Sequence, residues 1–391
     1  MIKELTARRE KFCAAMNGIY PEWDTAVIIS KVNQYYFTGT IQNALLLIKK
    51  GGSYSFNVRQ SYERALAESP LPDIHSMKSY KDVAAREGKD LGNTFIETDS
   101  LPYSVVMRLL NSFNVASVNP VDRIIRNVRA VKSAYELGRM EESGRLHNRF
   151  FAEIVPCLLR EGMSEAELHA LLQGQLPVMG HQILVRYHDY LTEDIFGRVG
   201  FGTNLLYASN SDTAVGGIGM SPAVPQIGST GRKLQKGDLV LVDICFGVDG
   251  YHTDKTQIYS FGTPPSVEAV KAQQQCMDVA QLVSEAFKPG AIPSQIYLDA
   301  LNSVAAEYRP YFMKHGDHQA GFIGHGIGLH VDEMPVIAKG FDDPLQENMT
   351  IAVEPKIGLP GFGVVGVEDT WVITPEGGRC LTGGCQQIIA I

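Results

Sequence analysis

In the segment KGDLVLVDICFGVDGYHTDKT an aspartate interrupts an apolar run, and a second aspartate follows eleven residues later; this arrangement restricts the fold more than any other stretch. The apolar run around Asp243, a Gly-x-Asp-Gly turn and a second run read as a β-hairpin. With the turn centred on Val248 and Asp249, Asp243 faces Asp254. With it centred on Asp249 and Gly250, the register moves by two. In either register the two carboxylates emerge on one face, because side chains alternate with period two. A charge within a buried strand is costly unless it is paired or binds a metal. Two like charges side by side repel, and a shared cation relieves this. Taken alone, either aspartate could simply cap a turn.

A second pair repeats the pattern. TIAVEP ends an apolar run at Glu354, the turn-rich GLPGFG follows, and VVGVED returns Glu368 on the next strand. Between the pairs lies GHGIGLHVDEMP, in which glycines flank His325 and permit close backbone approach. Four carboxylates and one imidazole form a hard, oxygen-rich donor set suited to Mn²⁺, Co²⁺, Fe²⁺ or Zn²⁺, and such sites hydrolyse bonds.

A chain of 391 residues, 45% hydrophobic and 20% charged, is globular and long enough for two or three domains. A net charge of -8 without a dense basic run argues against nucleic acid as a partner. Charges in MIKELTARREKFCAAM interrupt the apolar core a signal peptide needs, and no stretch of 18 apolar residues is present, so the reading is a cytoplasmic chain with no membrane partner. Six scattered cysteines do not resemble a disulfide framework, and Cys380 with Cys385 lack the second pair that a structural zinc requires.

Residues 5–16 and 61–68 read as helices, and 26–29 and 44–48 as short strands, giving a small α/β domain. Ser133 with Glu136 forms a capping box that opens a long helix, and Ser164 with Glu167 forms another. A boundary before the first box divides the chain into domains 1–128 and 129–391. Strands and glycine-rich turns dominate from about residue 200, with helical stretches at 267–287 and 294–307.

With these motifs in place, the sequence resembles the creatinase-fold, or pita-bread, metallopeptidases of peptidase family M24, in the branch containing Xaa-Pro dipeptidase (prolidase) and Xaa-Pro aminopeptidase. VDICFGVDGYHTD, GHGIGL, VEP and VED resemble the family's ligand-bearing segments in order. The resemblance implies an α/β N-terminal domain and an α+β pita-bread catalytic domain. It implies two divalent ions, with Mn²⁺ leading and Co²⁺, Zn²⁺ or Fe²⁺ as alternatives. Asp243 would hold one ion, His325 and Glu354 the other, and Asp254 and Glu368 would bridge them. Glu354 would also carry a proton from the attacking water to the leaving nitrogen. A homodimer is the family's usual assembly. Thr256, two residues beyond Asp254, points to the same side and is a candidate to hold that carboxylate, or else an ordinary strand residue.

The sequence also departs from the proline-specific pattern. That pattern places a histidine upstream of the first aspartate, another seven residues after the metal histidine, and an arginine two before the last glutamate. No histidine lies between His188 and His252, the seventh residue after His325 is Asp332, and position 366 is glycine. His330 would share a face with Asp332 if this stretch were a strand. It is the candidate substitute in catalysis and substrate binding, with Asp332 as a second substrate contact. Arg186 and His188, or His315 and His318, are further candidates to approach the cleft. The expected activity is hydrolysis of short Xaa-Pro peptides. The alternatives are a hydrolase or lyase of a small non-peptide substrate, such as another amide, and a non-catalytic binding protein.

Overall fold

A computed structural model describes residues 1–188, 192–193, 195–210 and 213–391. The chain divides into two compact units, Met1–Arg129 and Ala130–Ile391.

The first unit is built on a six-stranded mixed sheet in the order Ile74–Ser76, Tyr54–Gln60, Asn43–Lys49, Thr25–Ile28, Asp90–Ile96, Asn114–Pro120. The unbroken apolar runs AVI and ALLLI form its central strands, buried on both faces as such runs require. Asn114–Pro120 alternates between partly buried and exposed residues and lies at the edge. Helix Ile2–Ile19 buries Leu5, Phe12 and Met16, whose spacing of seven and four places them on one helical face.

The second unit contains a four-stranded sheet and a five-stranded sheet. The first has the order Ile389–Ala390, Tyr251–Ser260, Leu239–Val248, Gly197–Phe201. The second has the order Glu333–Ala338, Phe322–Gly326, Thr350–Val353, Asp369–Thr374, Gly377–Cys380. Helix Val267–Glu285 buries Ala269, Ala272, Cys276, Val279 and Val283, a stripe at helical spacing that joins a core with Ile351, Val353 and Ile373. Both predicted capping boxes form: Ser133 accepts from the Glu136 amide at the start of Ala134–Arg149, and Ser164 from that of Glu167 at the start of Glu165–Gln175. No helix among the described residues is long and apolar enough to cross a membrane.

Two hairpins position the chemistry. In the first, Asp243 pairs with Thr256 and Cys245 with Asp254, so the turn is centred on Asp249 and Gly250. Both turn residues have positive φ, 49° and 90°, as a two-residue turn matching the strand twist demands. In the second, Val353 pairs with Asp369 and Lys356 with Gly366. The same register runs through the interruption at Glu354 and Pro355, and it sets Glu354 across from Glu368.

Candidate metal centre

The two hairpins meet edge to edge. Thr256 bridges to Glu368, its amide donating to the Glu368 carbonyl at 3.2 Å. Thr370 locks the junction: its hydroxyl accepts from the Asp254 amide at 2.8 Å and donates to the Asp254 carbonyl at 3.1 Å. The strand carrying His325 pairs on its other side with Thr350–Val353, bringing His325 beside Glu354. Its flanking glycines matter for space. A Cβ on Gly324 would lie 2.6 Å from the Ala352 carbonyl oxygen, and one on Gly326 would lie 2.2 Å from that of Met334.

All five predicted ligands converge on a cavity of about 420 Å³, on whose lining they are joined by Tyr187, Arg198, Gln226 and Asp332 among others. One ligand atom from each of Asp254, His325 and Glu368 lies within 4.8 Å of the other two. His325 Nε2 stands 3.7 Å from Glu354 Oε1 and 3.9 Å from Glu368 Oε1. His325 Nδ1 lies 3.1 Å from the Gly326 carbonyl. That oxygen can only accept, so Nδ1 carries the proton and Nε2 presents its lone pair to the carboxylates.

The electrostatics call for a cation. Burial, then Glu368 and Asp243, push the Asp254 carboxyl well above the ordinary carboxylate range. Burial raises Asp243 to about 6, against the opposing pull of Lys356. Lys356 lies two residues beyond Glu354, and its side chain is fully buried. Its ammonium contacts Asp243 Oδ2 at 3.2 Å, Glu354 Oε2 at 2.7 Å and Glu368 Oε2 at 2.9 Å. Burial alone would lower this amine, but Asp243, Glu354 and Glu368 outweigh it and hold it well above the usual lysine value. Lys356 escaped the sequence reading. Its signal was the ribbon register, which places it on the same face as Glu354. The four carboxylates outnumber this single ammonium, and the oxygen-rich donor set around His325 suits a divalent ion.

Other residues fall differently from expectation. The Thr256 hydroxyl donates to Glu368 Oε2 at 2.9 Å rather than to Asp254. Asp254 instead accepts from the Cys245 thiol at 3.1 Å and from the Lys255 amide at 3.0 Å. Burial and then Asp254 hold that thiol well above the ordinary cysteine range, in its protonated, donating form. The stretch carrying His330 is no strand, since Phe322–Gly326 ends before it and Glu333–Ala338 begins after it, so the premise of a face shared with Asp332 fails. Asp332 lines the cavity and accepts from the His188 amide at 2.5 Å. His330 is not among the described lining residues; its ring lies 5.7 Å from that of His188. His315 is buried beside His318, with rings 5.1 Å apart, and neither is among the described lining residues.

The chain belongs to metallopeptidase family M24: residues 138–375 match that family's model, and residues 8–131 match the creatinase/prolidase N-terminal domain. It is therefore a metallopeptidase of the creatinase/prolidase branch, built as an α/β domain followed by a pita-bread catalytic domain. Among its relatives is the Xaa-Pro dipeptidase of Pyrococcus horikoshii, 27% identical over 362 residues, which are 92% of each chain. The crystal structure of the prolidase from P. horikoshii superposes with a TM-score of 0.80 at 24% identity, over 98% of this chain and 100% of that one. The Xaa-Pro dipeptidase from Bacillus anthracis superposes with a TM-score of 0.82 at 21% identity, over 99% and 100%.

Proposed function

We propose that this protein hydrolyses the bond between a residue and a following proline in dipeptides or short peptides. The observation that carries this reading is the convergence of Asp243, Asp254, His325, Glu354 and Glu368 on one cavity, in a chain whose relatives include Xaa-Pro dipeptidases. Asp254, His325, Glu354 and Glu368 would hold one cation, and Asp243 with Asp254 and Glu368 would hold a second, with Mn²⁺ the leading ion. Divalent ions there would polarise the scissile carbonyl and acidify water near neutral pH.

The residues of the chain supply the rest. Glu354 Oε1 faces His325 while its Oε2 is held by Lys356, so the free oxygen is aimed into the cavity. There it accepts a proton from the attacking water and returns it to the proline nitrogen, a poor leaving group until protonated. Thr256 fixes Glu368, and Cys245 fixes Asp254. Asp332 is proposed to receive the peptide's free amine. His330 would act only by supporting that wall of the cavity through His188. The proposed assembly is a homodimer and the proposed compartment the cytoplasm.

A second reading, hydrolysis or lysis of a small non-peptide substrate, is favoured by one observation: His325 is the only histidine among the described lining residues. The test is to incubate metal-stripped protein with Xaa-Pro dipeptides, tripeptides and small amides, with and without Mn²⁺, beside Asp254→Ala. Mn²⁺-dependent proline release that is absent in the variant supports the proposal. Turnover of small amides alone supports the second reading.

A further inference from the structure

Glu354 and Glu368 oppose each other across a single ribbon, and two residues along it the next opposed pair on the same face is Lys356 and Gly366. Only Lys356 can carry a side chain in this geometry, because a Cβ on Gly366 would stand 2.6 Å from Lys356 Cγ, 2.7 Å from the Pro355 carbonyl oxygen and 2.8 Å from Lys356 Cα. Gln273 fixes this bare backbone by accepting from the Gly366 amide at 2.8 Å and donating to its carbonyl at 3.1 Å.

The Lys356 contacts are also selective by atom. Its ammonium engages Oε2 of both glutamates, while Oε1 of each is the atom nearest His325 Nε2, at 3.7 and 3.9 Å. The ammonium thus holds one oxygen of each carboxylate and turns the other toward the imidazole. Its third contact, to Asp243 Oδ2, ties in the opposite hairpin. A surface lysine would do none of this, and a buried one without three anionic partners would be strongly unfavourable.

We propose that Lys356 is the positioning cation of this metal centre, supplied from strand Lys356–Leu359. The inference deepens the metallopeptidase reading, but its test does not depend on the substrate.

The experiment is calorimetric titration of Mn²⁺ into metal-stripped wild type, Lys356→Met, Lys356→Gln and Lys356→Arg. Circular dichroism checks that each is folded. Lys356→Met should weaken Mn²⁺ binding about tenfold or more, the scale seen when groups that orient metal ligands are removed. Lys356→Arg keeps the charge and should recover most of that loss. Lys356→Gln removes the charge but keeps a polar end, and should also weaken binding, which keeps the proposal testable if Lys356→Met does not fold. Unchanged or tighter Mn²⁺ binding in folded Lys356→Met and Lys356→Gln would overturn it, showing a lysine that only packs or only competes with the ion. Weakened binding without recovery in folded Lys356→Arg would overturn the role of the charge. Should the wild type bind Mn²⁺ yet cleave no Xaa-Pro peptide, the substrate reading fails while the binding arms still decide the role of Lys356.

Discussion

Cys245 illustrates how a small side chain can serve the site without reacting in it. Its thiol is buried, donates to Asp254 Oδ2 and is held protonated well above its usual range. A thiol-directed reagent at pH 8 should therefore modify the exposed Cys157 rapidly in native protein and reach Cys245 only after unfolding. Mass spectrometry of labelled peptides reads this directly, and fast native labelling of Cys245 would contradict the protonated, donating form. Replacing Cys245 by alanine removes a donor that orients a ligand, and should weaken Mn²⁺ binding by roughly 10- to 100-fold. Among the candidate ligands, Asp243 and Glu368 were legible as charges inside apolar runs and His325 by its flanking glycines. Cys245 and Lys356 were not: a cysteine in a strand is unremarkable, and a lysine beside a turn is usually exposed.

At the scale of elements, the centre depends on two hairpins and the strand carrying His325 approaching closely. Thr370 satisfies both the amide and the carbonyl of Asp254. Thr370→Val leaves both buried groups unpaired and should cost about 2–4 kcal/mol in denaturant unfolding of the catalytic unit. Gly326 has no positive φ, so it is required by space rather than by backbone conformation. Gly326→Ala should push His325 out of line and cost about 1–3 kcal/mol, as overpacking does, together with a loss of metal affinity. A well-packed variant with unaltered Mn²⁺ binding would show that the strand tolerates the added methyl. The flanking glycines announced close approach in the sequence, but which backbones approach was set by a sheet order that places Thr350–Val353 beside Phe322–Gly326.

At the scale of the whole molecule, two buried histidines oppose mild acidification. Burial lowers His169 and His181 from 6.5 to about 4 each. The His181 geometry requires the neutral ring, since Nδ1 accepts from the Ile183 amide at 2.6 Å and Nε2 faces the Cys245 carbonyl at 3.2 Å. A histidine depressed in the fold contributes stability that is fully present above pH 6.5 and is lost as pH falls toward 4, about 3 kcal/mol for each. Between pH 7 and 4 the melting temperature of wild type should lose ground to that of His169→Gln, whose difference from wild type should shrink as the pH falls. By itself the sequence determined the candidate ligands, the two hairpins and the capping boxes, because each is written in local spacing: period two, turn residues at fixed offsets, and charges inside apolar runs; the fold family came from the resemblance of its motifs. Tertiary structure alone decided the rest. Strand Tyr251–Ser260 reads as mostly polar, yet all ten residues are buried. His252 reaches the Gly328 carbonyl, Lys255 reaches Asp369 and Thr256 reaches Glu368, each across a long sequence separation. A buried polar group is tolerated only where a partner waits, and the partners come from elements that local spacing cannot connect.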